Sequence, residues 1–133
     1  MTPSIFTQII AGTIPCHRIT ETADFIAFLD IHPIATGHTL VVPKKEIDNL
    51  FDLDDALLSQ YLLIAKPIAQ AIHQAVPCKR VGILVAGLDV PHAHLHLVPI
   101  HTGADLNFAN ARAADPNDLQ AVAARIRAHL PTA

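Results

Sequence analysis

At 133 residues the chain has the size of one domain, long enough to bury a core of its own, and is read as a single domain over 1–133. Its formal net charge of −3 argues against a general nucleic-acid binder, which would present a strongly basic face. With 51% apolar and only 16% charged residues it carries more apolar surface than one small core hides, so a subunit interface is expected. No apolar run approaches membrane-spanning length, so no membrane partner is expected. Cys16 and Cys78 are far apart and unframed, and no signal peptide precedes them, which makes a reduced, cytoplasmic protein the expectation.

Ser4 followed by Ile5, Phe6, Ile9 and Ile10 predicts a short amphipathic helix capped by Ser4, with Gly12 just past its end and Pro15 beyond. A short strand is expected around Cys16 to Thr20 and a firmer one over Asp24 to Leu29, joined as a hairpin. The loop Ile31-His32-Pro33-Ile34-Ala35-Thr36-Gly37 carries proline and glycine punctuation and leads into an extended His38 to Pro43. Ile47 to Phe51 suits one helical turn. After the acidic Asp52 to Asp55, the apolar residues Leu57, Tyr61, Ile64, Ala65, Ile68 and Ile72 recur at helical spacing as far as Val76. Pro67 inside this run predicts a bend rather than a break, because the stripe continues in phase beyond it.

Val81 to Ala86 reads as a buried strand, turned by Gly87-Leu88-Asp89 into an antiparallel neighbour. That neighbour is Val90-Pro91-His92-Ala93-His94-Leu95-His96-Leu97-Val98-Pro99, with imidazoles at every second position of an apolar run. A strand sends alternate side chains to one face, so His92, His94 and His96 are expected to line up, with Ala93, Leu95 and Leu97 turned to the core. Neutral imidazole is a nucleophile, a proton carrier and a metal ligand, and the chemistry alone leaves all three roles open. The chain loosens after His101, and a last helix is expected from about Asn117 to Leu130. The succession of helix, three strands, long helix, two strands and helix predicts an α+β domain with a mainly antiparallel five-stranded sheet. Its core is placed at about 4–101, with a tail and helix over about 102–133.

The pattern His-x-His-x-His followed by two apolar residues resembles the signature of the histidine triad (HIT) family of nucleotide-binding hydrolases and transferases. A second stretch agrees with it in order: Phe28-Leu29-Asp30-Ile31-His32-Pro33, then Gly37-His38-Thr39-Leu40-Val41-Val42-Pro43-Lys44-Lys45, is similar to the nucleotide segment of that family. The short loops, and Val90-Pro91 before the triad, look most like its compact Hint-like branch. The resemblance spans about Ile5 to Pro99. It implies a phosphohydrolase cleaving nucleoside phosphoramidates or related nucleotide conjugates at the α-phosphate, with His94 as nucleophile and a nucleotidyl-histidine intermediate. His92 and His96 would orient His94 and bond the phosphate oxygens, and His38 matches a fourth histidine beside the triad. Retention of His96, where the transferase branch has glutamine, leans toward hydrolase. Asp30 would accept the ribose hydroxyls, a task suited to a carboxylate. Ile5, Phe6, Ile9, Phe28 and Ile31 match the apolar slot for the base, and dimeric relatives imply a homodimer.

Two departures stand out. Some relatives hold a structural zinc through Cys-x-x-Cys at the first helix and a histidine after the double lysine; here those positions read Ser4, Thr7 and Glu46, so no metal or other cofactor is expected. Where relatives have a glycine-rich loop with asparagine and glutamine before the triad, this chain has Val85-Ala86-Gly87-Leu88-Asp89. Leu88 cannot donate an amide hydrogen bond, while Asp89 can either carry a proton to the leaving group or repel the phosphate. The alternatives to a hydrolase are a non-catalytic nucleotide-binding module and a metal centre on His92, His94 and His96.

Overall fold

In the computed structural model, residues 2–131 are described; Met1, Thr132 and Ala133, the ends of the expected domain, lie outside them. Ser4 caps helix α1 (Ile5–Ile10) by accepting from the Thr7 N–H. Gly12 follows at a φ of 84°, the left-handed conformation that ends the helix. Strands β1 (Arg18–Glu21), β2 (Phe25–Leu29) and β3 (Thr39–Pro43) follow in turn. Asp54 then caps the long helix α2 (Asp55–Ala75), and Pro67 lies inside α2 without ending it. After β4 (Arg80–Leu84) and β5 (Leu95–Ile100) comes α3 (Pro116–Ala128), capped by Asp115 with Pro116 in its first turn.

The strands form one sheet in the order β1-β2-β3-β5-β4, with each neighbouring pair antiparallel. The fold is therefore the α+β domain expected. One face of the sheet presents Phe25, Ala27, Leu29, Val41, Leu95 and Leu97 to α2 and α3, whose Ile68, Ile72, Leu119, Val122 and Ile126 complete the main core. The other face carries Ile26, Phe28, Leu40 and Val42 under Phe6 of α1. Strand alternation thus sends one apolar set to the helix pair and leaves the other face for α1 and the histidines.

Two expectations are corrected. β4 is half exposed rather than buried, with Ile83 49% accessible, because it is an edge strand with a neighbour on one side only. The histidine segment is a strand only from Leu95; His92 and His94 precede it. The ladder between β3 and β5 stops at Val41 and Leu95 because the next part of β3 is Pro43, which has no N–H to offer. The Ala93 N–H instead finds the Ile47 carbonyl at 2.7 Å, beyond the end of β3.

Between β5 and α3, residues Gly103–Asp105 and Phe108–Asn110 form short 3₁₀ turns that cross the face opposite α2 and α3. Gly82 of β4 makes room for this passage: a Cβ there would stand 3.0 Å from Ile100 and 3.1 Å from Leu106. The segment then bonds to the loop after β2, Arg112 N–H to the Pro33 carbonyl and Ala114 N–H to the Ile31 carbonyl.

Candidate active site

The site is built where β3 and β5 meet the loops around them. Gly37, at a φ of 95°, makes the turn that delivers His38 to the start of β3; a side chain there would also press on Val76 at 3.0 Å. Leu40 pairs with His96 across the ladder, which sets His96 beside His38 on the α1 face. Burial is nearly complete for all four histidines, at 1% exposure for His38, 0% for His92, 6% for His94 and 5% for His96.

Hydrogen bonds assign the protons on these rings. The Ile34 N–H donates to His38 Nδ1 at 3.0 Å, so the neutral His38 ring carries its proton on Nε2. That N–H donates in turn to His96 Nδ1 at 2.9 Å. His96 is thereby left with Nε2–H, a donor with no partner among the described residues. Burial holds both rings neutral, pushing the His38 pKa down to about 4 and, with the two neighbouring histidines adding to it, that of His96 down to about 3. His94 carries the opposite tautomer: its Nδ1–H donates to the His92 carbonyl at 2.7 Å, which leaves Nε2 with a lone pair. Every fully buried side-chain nitrogen or oxygen among the described residues has a partner, so the free Nε2 atoms of His94 and His96 face an opening.

His92 is employed differently. Its Nε2–H donates to the Pro43 carbonyl at 2.7 Å, and its Nδ1 meets Ser4 Oγ at 2.7 Å. Both ring nitrogens are therefore taken up within the protein. Ser4 Oγ also accepts from the Thr7 N–H at 3.0 Å. Glu46 closes the group, its Oε1 accepting from the Ser4 N–H at 2.7 Å and from the Thr7 hydroxyl at 2.6 Å. These contacts hold Glu46 below the usual carboxylate range, the Thr7 hydrogen bond most of all.

Two groups of residues bear on metal binding, and neither fits. Ligand atoms about a tetrahedral zinc at roughly 2.0–2.1 Å stand about 3.3 Å apart and carry no proton toward the ion. Ser4, Thr7, Glu46 and His92 instead close on one another through hydrogen bonds, two of them hydroxyls. Ligating atoms of Asp30, His38 and His96 also lie within 4.8 Å of one another. There the His38 Nε2 that would bind an ion bears a proton, because its Nδ1 lone pair already serves Ile34.

Asp30 stands at the end of β2 with Oδ2 3.7 Å from His38 Nε2. His38 is neutral, so this is proximity rather than an ion pair. Asp30 Oδ1 accepts from the His32 N–H at 2.8 Å. Of the apolar slot, Phe6 and Phe28 are buried in edge contact with each other, ring centroids 5.7 Å apart. Ile5 and Ile31 are exposed, at 47% and 56%. Ile9 packs on the Phe6 cluster but also lines a separate cleft of about 520 Å³ with Ile14, Arg18 and Arg127, which holds none of the triad. Asp89 is exposed in the loop before the triad, next to Leu88 at 91%.

Two contributions to the site carry no signal in the sequence. Phe108 stands edge-on to His96 with centroids 5.0 Å apart, completing a row in which Phe6 meets His94 at 5.0 Å and His94 meets His96 at 4.9 Å. An isolated phenylalanine in an irregular tail carries no periodic signal. The bonds from Ser4, Thr7 and Glu46 were equally hidden, although their positions had been singled out as lacking thiolates.

An antiparallel sheet with a histidine pair opening between two aromatic rings defines a small α+β protein with a histidine-lined site, and comparison with known proteins places it. The HIT domain profile matches residues 11–103, and the chain belongs to the HIT family. It is 36% identical over 135 aligned positions to Protein hit of Bacillus subtilis, covering 95% of this chain and 93% of that one. It is 34% identical to an adenosine 5'-monophosphoramidase of Schizosaccharomyces pombe, covering 71% and 72%. Among solved structures, a Hit-like protein from Bartonella henselae, described as involved in cell-cycle regulation, superposes with a TM-score of 0.85 at 34% identity, covering 96% of both chains.

Proposed function

We propose that the protein hydrolyses nucleoside phosphoramidates, or related nucleotide conjugates, at the α-phosphate through a nucleotidyl-His94 intermediate. The observation that carries this reading is the tautomer of His94: its proton is committed to the His92 carbonyl, so Nε2 presents a lone pair at the opening. The phosphoramidase relative in fission yeast supports the substrate class.

In the first step His94 Nε2 attacks phosphorus, the bond to the leaving amine breaks, and the amine departs with a proton from solvent. The new imidazolium keeps its Nδ1–H on the His92 carbonyl, which stabilises the added charge. His96 Nε2–H donates to a phosphate oxygen, its direction set by the Ile34–His38–His96 relay. His92 serves through its carbonyl, since both of its ring nitrogens are occupied. Water then attacks phosphorus, nucleoside monophosphate leaves, and His94 regains its lone pair.

Asp30 Oδ2, not needed by the His32 turn, accepts the ribose hydroxyls. Ile5 and Ile31, exposed beside the buried Phe6 and Phe28, take the base between them, with Ile9 behind. The free edge of β4 fits pairing with a second copy: Ile83 faces the same side as Leu97, the side covered by α2, where Leu62 and Leu63 are 60% and 71% exposed. Equilibrium sedimentation giving a dimer, and a monomer for Ile83→Lys with Leu62→Lys, would bear this out. A cytoplasmic setting, with no nucleic-acid or membrane partner, fits the two free cysteines and the acidic balance.

The test is incubation with adenosine 5'-monophosphoramidate, with product analysis and intact mass after rapid quenching. Release of AMP and a nucleotidyl adduct absent from His94→Ala is the expected result. A second reading, binding without turnover, draws on Leu88, an apolar side chain in the loop where relatives carry an amide. AMP affinity by calorimetry without hydrolysis of any conjugate would favour it.

A further inference from the structure

We propose that Ser4, Thr7 and Glu46 are positioning residues: a hydrogen-bonded bracket from α1 to the loop after β3 that locks the His92 ring and, through the His92 carbonyl, selects the nitrogen of His94 that is free to attack. The proposal rests on the nucleotidyl-His94 reading for its catalytic meaning, but the bracket itself is a matter of ring geometry.

The argument follows the bonds inward from the surface. Glu46 Oε1 takes two donors, the Ser4 N–H at 2.7 Å and the Thr7 hydroxyl at 2.6 Å, which fixes the first turn of α1 against the chain beyond β3. Ser4 Oγ accepts from the Thr7 N–H and, since His92 Nε2 must donate to the Pro43 carbonyl, gives its own proton to His92 Nδ1 at 2.7 Å. One hydroxyl thus caps the helix and pins the ring. His92 is fully buried with both nitrogens used, so no ring atom of it remains for a substrate. Its carbonyl is the part that reaches the site, at 2.7 Å from His94 Nδ1.

A free imidazole divides between two tautomers, and the carbonyl removes that freedom only while it is held in place. Ahead of β5 the ladder has ended at Val41 and Leu95, and the peptide that carries the His92 carbonyl is held by its Ala93 N–H on the carbonyl of Ile47, the residue next to Glu46 of the bracket. The bracket takes over where the sheet ends. It also seats Phe6, two residues after Ser4, against His94 at 5.0 Å. Where some relatives are implied to use a metal, this chain closes the same corner with hydroxyls and a carboxylate whose mutual contacts leave an ion no place.

The decisive variants are Ser4→Ala, Glu46→Ala and Glu46→Gln, with Thr7→Val as a milder probe at the half-exposed rim. Long-range ¹H–¹⁵N spectra of the histidine rings report the tautomers directly, below each variant's melting temperature. Wild type should show His94 protonated on Nδ1 alone; Ser4→Ala and Glu46→Ala should show both tautomers. With adenosine 5'-monophosphoramidate these two, assayed where circular dichroism shows them fully folded, should lose about tenfold in kcat with KM within about twofold. Glu46→Gln keeps an amide oxygen able to accept both donors and should retain the single tautomer and most of kcat. A single Nδ1–H tautomer with wild-type kcat in Ser4→Ala and Glu46→Ala would overturn the proposal, and so would equal damage in Glu46→Gln. Failure of wild type to turn over any conjugate would remove the hydrolase reading while leaving the spectra to judge the bracket.

Discussion

Phe108 lies edge-on against His96, ring centroids 5.0 Å apart, although eleven residues, including one short 3₁₀ turn, separate them in the chain. Phe108 is 43% exposed, so its own burial adds little to stability and its contact falls on a ring already fixed by His38. An aromatic pair of this kind contributes about 0.5–1.5 kcal/mol beyond area. Phe108→Ala should therefore cost about 0.5–1.5 kcal/mol of stability and, by opening the wall beside His96, lower kcat/KM by roughly two- to tenfold, with Phe108→Leu intermediate. Steady-state kinetics beside a thermal melt checks this, and a large loss of stability with unchanged kinetics would contradict it.

The room that Gly82 provides predicts a graded series. A Cβ would stand 3.0–3.1 Å from the ends of Ile100 and Leu106, which flexible side chains can relieve by small shifts. Gly82→Ala should be mild, whereas Gly82→Val should lift the 102–110 segment, expose it to limited proteolysis and reproduce the kinetic defect of Phe108→Ala.

His38→Ala should be among the most damaging single changes. It strips partners from the Ile34 N–H and from His96 Nδ1 in a buried place, and each orphaned group costs about 1–3 kcal/mol. Denaturant unfolding should show a loss of about 2–5 kcal/mol. Activity should fall further than stability explains, because His96 is then free to place its proton on either nitrogen.

Stability should fall with acid in a defined window. The folded pKa values of His38 and His96, about 4 and about 3, lie below the ordinary histidine value, so between about 6.5 and 4 the unfolded chain binds protons that the folded one refuses. Stability is then complete above about pH 6.5 and drops by about 1.4 kcal/mol per pH unit for each histidine as pH falls through that window. Urea titrations from pH 7 to 4 on wild type and His38→Asn should differ in slope by about one proton. Equal slopes would show that His38 is not a source of the effect.

How much of this was legible beforehand follows from the range over which each feature is written. Helical spacing from Leu57 to Ile72, the cap at Ser4, the apolar runs of β2 and β3 and the alternating imidazoles leading into β5 are local, so the α+β sheet could be read directly. Pro43 illustrates the limit: its missing N–H ends a ladder, but only once the partner strand is known does that place His92 and His94 outside it. The half-exposure of β4 likewise depends on strand order, which its apolar composition does not encode.

By itself the amino-acid order determined the element types, the alternation of imidazoles and the membership those motifs imply, because period and punctuation act between near neighbours. Tertiary structure alone decided what each imidazole does. A ring's tautomer is set by whichever donor or acceptor is folded against it, and here those are Ile34 for His38, Ser4 and Pro43 for His92, and the His92 carbonyl for His94. Three identical side chains at even spacing thereby become a ring locked within the protein, a lone pair and a proton donor.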